Sequence, residues 1–378
     1  MVRHALVASL AALVASSCGQ SPRGELASRP PDQQIAFSGV GISAASPSGD
    51  AFVYLEGNAL VRVRDGAIRR VALEGASCHP SDRSVATDTS FLVVWPQGSK
   101  ALLYGARTNI DFDLWGHSGL RLAISCLVDI DAGRAAPLEA ALPGAPELHS
   151  AQRADFHAVV GPSGRLYTWA SPREITALDL ASQKSVSLGV AERFFRPCTL
   201  VETTHVLTTA CLGGDDPASQ TSLDVTTFDP SAWPPRQTDR FAIPLPASAL
   251  PREGGVLSPD ARFYAWHEHS TKGAAASAST ESTLHVLSLE RRAMVLTKKE
   301  THEGAIRSLA FDPQGRGVLV GDDLSPGTAR VRLVGWSGAV LDAFAVKGGA
   351  QRLTPVGSGE RVWVSGLVGA ALVPVSGH

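Results

Sequence analysis

His267-Glu268-His269 places two imidazoles two residues apart, and on a β-strand residues so spaced share a face. That spacing lets two nitrogens reach one divalent metal. No third ligand stands at a defined distance, and a strand ending in exposed polar residues accounts for the triplet equally well. Asp111, Asp113, Trp115 and His117 follow Arg107 in one polar run. Two carboxylates two apart are calcium-type ligands, but the run lacks the glycine and terminal glutamate of an EF-hand loop. A solvated loop or a contact with a partner suits it as well. Gly116-His117-Ser118-Gly119 joins a base to a hydroxyl with no orienting acid. Asp215 and Asp216, like Asp322 and Asp323, follow glycine, which reads first as turn chemistry and second as recognition. No Gly-x-Ser-x-Gly elbow, His-Glu-x-x-His, P-loop or Cys-x-x-Cys pair occurs. The expectation is a protein with no catalytic residue, no metal and no cofactor. Its candidate contact residues are Arg107, Asp111, Asp113, Trp115, His117, Asp215, Asp216, His267 and His269.

The cysteines and the N-terminus set the compartment. Met1-Val2-Arg3-His4 is a short basic region, and Ala5 to Ser17 an apolar run too short to span a bilayer. It ends in Val14-Ala15-Ser16-Ser17-Cys18-Gly19, which resembles a bacterial lipobox. The resemblance implies cleavage after residue 17, lipidation of Cys18 and attachment to a membrane of the bacterial cell envelope, at the outer membrane or its periplasmic face. Residues 18–33 lack an apolar period and read as a tether, leaving 34–378 as the folded domain. Of 5 cysteines, Cys78, Cys126, Cys198 and Cys211 then remain in an oxidising compartment. Cys198 and Cys211 flank a hairpin that reverses at Thr204-His205. Counting pairs outward from Thr203–Val206 sets Cys198 opposite Cys211 at a non-hydrogen-bonded site, where side chains approach most closely. A cross-strand disulfide is expected there, and Cys78–Cys126 follows by elimination.

A net charge of −2 with 19% charged residues gives no electrostatic footprint for nucleic acid. Gly 36 and Pro 24 suit an all-β chain with many turns. Those turns repeat. Ser46-Pro47-Ser48-Gly49, Trp95-Pro96-Gln97-Gly98, Gly161-Pro162-Ser163-Gly164, Ser258-Pro259-Asp260-Ala261, Asp312-Pro313-Gln314-Gly315 and the degenerate Val356-Gly357-Ser358-Gly359 recur at about 50-residue spacing, the period of propeller blades. The Cys198–Cys211 hairpin sits where a further one is due. Around each turn run four short apolar-alternating segments, which predicts a β-propeller of about seven four-stranded antiparallel blades. The last blade has only three strands before the chain ends. Residues 34–40 supply the fourth, closing the ring between the termini and removing two edges.

From His302 to Trp336 the chain reads His-x-Gly-x-Ile-x-Ser-Leu-Ala-Phe-x-Pro-x-Gly, then Gly321-Asp322 and Val331-Arg332-Leu333. This resembles one WD40 repeat. The resemblance implies a structural histidine, His302, bonding within its blade, with Ser308 and Asp322 as its partners. Second-to-third connections are long at 105–119, 213–221, 268–282 and 322–329, and blade-to-blade connections are long as well. In a four-stranded meander both classes emerge on one face, where function is expected. The expected protein is a monomeric, lipid-anchored, non-catalytic propeller that binds an envelope protein or polymer through that face. The competing expectation is a propeller enzyme, a lactonase-like hydrolase or quinone-dependent dehydrogenase, working in the central channel. Against it, the innermost segments around Ala44, Val93, Val159 and Ala310 are almost wholly apolar.

Overall fold

The computed structural model describes residues 35–38, 43–56, 59–73, 91–109, 119–137, 157–171, 174–188, 198–213, 222–246, 255–272, 279–302, 306–325, 328–366 and 369–375. They form seven four-stranded antiparallel sheets arranged in a ring, a seven-bladed β-propeller. Each blade is a simple meander. Blade one is Ser43–Ala45, Ala51–Glu56, Ala59–Arg64 and Ala67–Ala72, and the next five follow the same order. The first strands of successive blades touch one another, which makes them the innermost ring around the channel.

The burial of each strand follows from its place in this spoke arrangement. Middle strands are covered on both faces by neighbouring blades, so Leu207–Gly213 is buried throughout. Outermost strands face water, as Ala67–Ala72 and Lys184–Ser187 show. The core is therefore divided into wedges between blades. Val53, Leu92 and Leu103 fill one between blades one and two, and Leu319, Leu333 and Val362 another between six and seven. Blades seven and one are joined by Phe52 stacked on Trp363, with ring centroids 4.3 Å apart.

The repeated turn signature has one physical meaning. In each of Ser46–Gly49, Ser258–Ala261 and Asp312–Gly315 the fourth residue donates its N–H to the first residue's carbonyl, at 2.8, 2.9 and 2.9 Å. The fourth residue is left-handed (Gly49 φ 71°, Ala261 φ 59°, Gly315 φ 70°). The first side chain caps the turn. Ser258 Oγ accepts from the Arg262 and Phe263 amides at 3.0 and 2.9 Å, and Asp312 does the same for Arg316 N at 3.1 Å.

The ring closes as the sequence predicts. Ile35–Ser38 pairs antiparallel with Gly369–Pro374, in the register Ile35 with Leu372 and Phe37 with Ala370. The blade-four hairpin also has its expected register, with Glu202 opposite Leu207 and Thr199 opposite Ala210. Three of the four long connections differ from expectation. Lys100–Asn109 pairs with Gly119–Asp129, Phe263–Lys272 with Ser279–Ser288, and Gly317–Ser325 with Thr328–Gly335. What composition presents as loops is partly ladder, because alternating Thr, Ser, Arg and Glu pair readily in a β-ribbon. Residues 214–221, most of the fourth expected connection, lie outside the described residues.

Candidate functional site

The second-to-third hairpins of blades two, five and six all rise from the same face. A 10-residue strand such as Phe263–Lys272 spans about 34 Å, against about 14 Å for the 4-residue Phe91–Val94. These ribbons raise a wall on the face that also carries the blade-to-blade connections. In blade five the fourth strand, Ala293–His302, follows the ribbon outward and pairs as far as His302 opposite Thr280. The extension there is a three-stranded sheet.

Where these ribbons leave the ring, the wedge between blades five and six changes from apolar to ionic. Asp322 is wholly buried. Its Oδ2 accepts from Arg332 Nε at 2.8 Å and Arg330 Nε at 3.1 Å, and its Oδ1 from Arg332 Nη2 at 3.1 Å. Arg332 Nη1 continues to Glu300 across the wedge, and Lys298 Nζ meets Glu300 Oε1 at 2.5 Å. Burial alone would raise the Glu300 carboxyl, but the hydrogen bonds and charges of Lys298 and Arg332 outweigh it and hold the group below its usual range. Such a cluster ties two blades together at the base of the wall.

On the other side of blade five, His285 stacks on Trp266 at 5.0 Å, with Glu268 Oε2 3.4 Å from its Nε2. Burial lowers the imidazole pKa to about 4, so the ring is neutral at pH 7 despite the carboxylate.

The predicted contact residues are dispersed. His267 lies on a strand, 8% exposed, facing the wedge toward blade six beside Leu284, so it is buried and not part of a loop. Arg107 and His269 also belong to strands, pairing with Arg121 and Ser282. Asp111, Asp113, Trp115, His117, Asp215 and Asp216 lie outside the described residues, as do Cys18 and Cys78. Cys126 is disulfide-bonded. Cys198 and Cys211 are joined, with Cα atoms 4.3 Å apart. Ser308 donates to the Ala350 carbonyl at 2.5 Å, and the Asp322 carboxylate is engaged by the two arginines. These are the bonds at the two positions expected to serve His302, whose backbone pairs with Thr280. Among the described residues no group of three His, Cys, Asp or Glu is placed to hold a metal.

Sequence reasoning missed the charges on the innermost strands. Glu202 ends Thr199–Glu202, Arg307 stands in Ile306–Phe311, and Arg352 opens Arg352–Val356. Glu202 is buried; burial raises its carboxyl pKa against the opposing hydrogen bond from Ser163 Oγ at 2.8 Å. Its signal was present in the turns. Where blades one, five and six begin the turn with a capping Ser or Asp, blade three has Gly161, and the neighbouring blade's carboxylate fills the space. A groove of about 390 Å³ also opens on the tight-turn face between blades four and five, with Arg292 over the Phe241 ring at 4.4 Å.

No protein-family model matches this chain, and no curated protein matches it significantly. Among solved structures, hydrazine synthase of Kuenenia stuttgartiensis superposes with a TM-score of 0.52 at 12% identity, covering 95% of this chain and 100% of that one. At that identity the likeness is one of fold.

Proposed function

We propose that this chain is an exported, lipid-anchored propeller of the bacterial envelope that binds a protein or envelope polymer without catalysis, through the face bearing the ribbons. One observation carries the reading: the extended hairpins of blades two, five and six stand on a single face, whereas the opposite face carries short turns such as Asp65-Gly66. A polar three-stranded wall on a rigid ring offers main-chain and side-chain contacts to a large partner. The lipobox-like run before Cys18 supplies the anchor, and the WD40-like pattern of blade six agrees with an interaction module.

Photo-crosslinking in cells tests it. A photoreactive residue at Thr271 or Thr280, on the blade-five ribbon, should give a discrete adduct that the same residue at Asp65 or Ser182 does not. Adducts from the tight-turn face alone would reverse the assignment. Cys18→Ser should release the protein from membranes, and continued membrane partition would remove the anchor from the reading.

A further inference from the structure

The groove between blades four and five is lined throughout by described residues, and its walls carry four charges. Two of them, Arg262 and Glu290, are largely exposed and pair with each other at 3.2 Å. The other two, Arg292 and Asp239, pair neither with each other nor with any other described charge. Asp239 accepts only the amide of Arg240, at 2.8 Å to Oδ1. Arg292 lays its guanidinium over Phe241, the Cζ 4.4 Å from the ring centroid. Stacking holds the guanidinium plane and leaves its edges open for bonds in that plane. Arg292 is left-handed, φ 52°, directly before the fourth strand, where blades one and two have Gly66 and Gly133. A side chain is uncommon in that conformation, and here it sets a cation on the groove.

The lining adds a buried hydroxyl. Thr208 is 2% exposed and lines the groove with the buried Val225 and Leu289. Its side chain makes no hydrogen bond to the described residues. A buried hydroxyl without a partner costs stability, so the groove has a place for a polar group beside it. Asp239 and Phe241 are two apart on Arg236–Pro244 and so share a face. The carboxylate and the guanidinium over Phe241 are therefore about 7 Å apart along the strand. The groove's volume of about 390 Å³ falls within the range of small-molecule pockets, about 300–1,000 Å³.

We propose that this groove binds a free α-amino acid with a polar side chain. The ligand's carboxylate takes the open edge of Arg292 in two parallel hydrogen bonds. Its ammonium donates to Asp239, and its side chain lies along Val225 and Leu289 with the polar end on Thr208. An amino acid carries both charges on one carbon, which suits an acceptor and a donor close together on one strand face; a peptide splits them between its two ends. A sugar fits less well, because Arg292 occupies a face of Phe241 on which its ring would stack. The groove lies opposite the ribbons and does not depend on their docking a partner.

Calorimetric titration of the purified exported protein with L-serine, L-glutamine and L-leucine tests it. L-serine or L-glutamine should bind saturably at a single site, and more tightly than L-leucine. The N-acetyl derivative of that ligand, which lacks the ammonium, and its methyl ester, which lacks the carboxylate, should each bind about 10-fold or more weakly, the size of one lost charge-assisted pair. Arg292→Gln and Asp239→Asn should weaken the parent amino acid by the same order; both positions are exposed, so neither change disturbs the core. Thr208→Val, which removes the hydroxyl at nearly constant shape, should narrow the preference over L-leucine. Arg236→Gln, a cation of the same strand outside the groove, should leave affinity unchanged. Absence of saturable binding of all three amino acids overturns the site. So does affinity that survives Arg292→Gln and Asp239→Asn undiminished. Saturable binding of glucose with no amino acid bound would make the groove a sugar site and reject the assignment.

Discussion

Asp322 and Arg332 meet edge to edge on adjacent strands of blade six, Nε to Oδ2 at 2.8 Å and Nη2 to Oδ1 at 3.1 Å, with the carboxylate fully buried. Two parallel bonds fix the guanidinium plane, and its remaining arm then reaches Glu300 of blade five. The pair is worth more to specificity of docking between the blades than to net stability, because desolving both charges offsets most of their attraction. Removing one partner is different. Asp322→Ala strands a buried guanidinium and should cost about 3–5 kcal/mol in urea unfolding. Asp322→Leu combined with Arg332→Met should cost less than Asp322→Ala alone. A single-mutant loss under about 0.5 kcal/mol, the scale of an ordinary surface substitution, would show that water hydrates the cluster.

Cys198 and Cys211 occupy the directly opposed site that the hairpin register requires, their Cα atoms 4.3 Å apart. Non-reducing digestion of exported protein should yield the two peptides linked. Cys198→Ser with Cys211→Ser should lower stability by about 2–3 kcal/mol, since the loop closed is short. Free, alkylatable thiols in the exported protein would contradict the pairing.

Gly161 has no room for a side chain, because an added Cβ would lie 1.5 Å from Glu202 Oε2. Gly161→Ala must push that carboxylate out of its place against blade three, breaking the Ser163 bond. A loss of about 1–3 kcal/mol is expected, as for other overpacking substitutions. Glu202→Ala in the same background should recover part of it, and a purely additive double mutant would refute the contact.

His285 gives the fold an acid-sensitive point. Its pKa falls from 6.5 unfolded to about 4 folded, so between those values the unfolded chain binds the extra proton. Stability is complete above pH 6.5 and declines as pH falls toward 4, by about 2–3 kcal/mol once the nearby Glu268 carboxylate is allowed for. His285→Phe should flatten that part of the stability profile. A titration midpoint near 6.5 for the His285 ring in NMR would contradict it.

The ring itself was legible because six of the seven blades announce their first turn with a glycine or left-handed residue at a fixed place, as at Gly49, Gly164 and Gly315. The period follows from backbone geometry that few residues can adopt. The disulfide was legible for a similar reason, since a two-residue turn fixes every pair behind it. The ribbons were not, because Thr, Ser and Glu in 268–282 read as loop when no apolar alternation marks one face. The channel cations were also hidden. Arg307 stands at a bulge of its ladder, and Arg352 reaches from blade seven to Leu92 of blade two; neither placement is written in local sequence.

Ile35–Ser38 is paired on one side by Gly369–Pro374, as the outermost strand of blade seven. The pairing joins the two ends of the chain and completes blade seven, whose other face is locked to blade one by the Phe52–Trp363 stack. Removing the strand leaves the backbone groups of Gly369–Pro374 without a ladder on that side and uncovers an edge able to recruit another chain. A deletion that stops before Ile35 keeps the register and should leave the melting temperature unchanged. Extending it through Ser38 should cost several kcal/mol, on the order of the whole margin of a typical domain, and should raise light scattering on heating. The shorter truncation controls for loss of chain length, so the comparison isolates the strand. Equal melting temperatures for the two truncations would mean that three strands suffice for blade seven, and that the termini do not hold the ring shut.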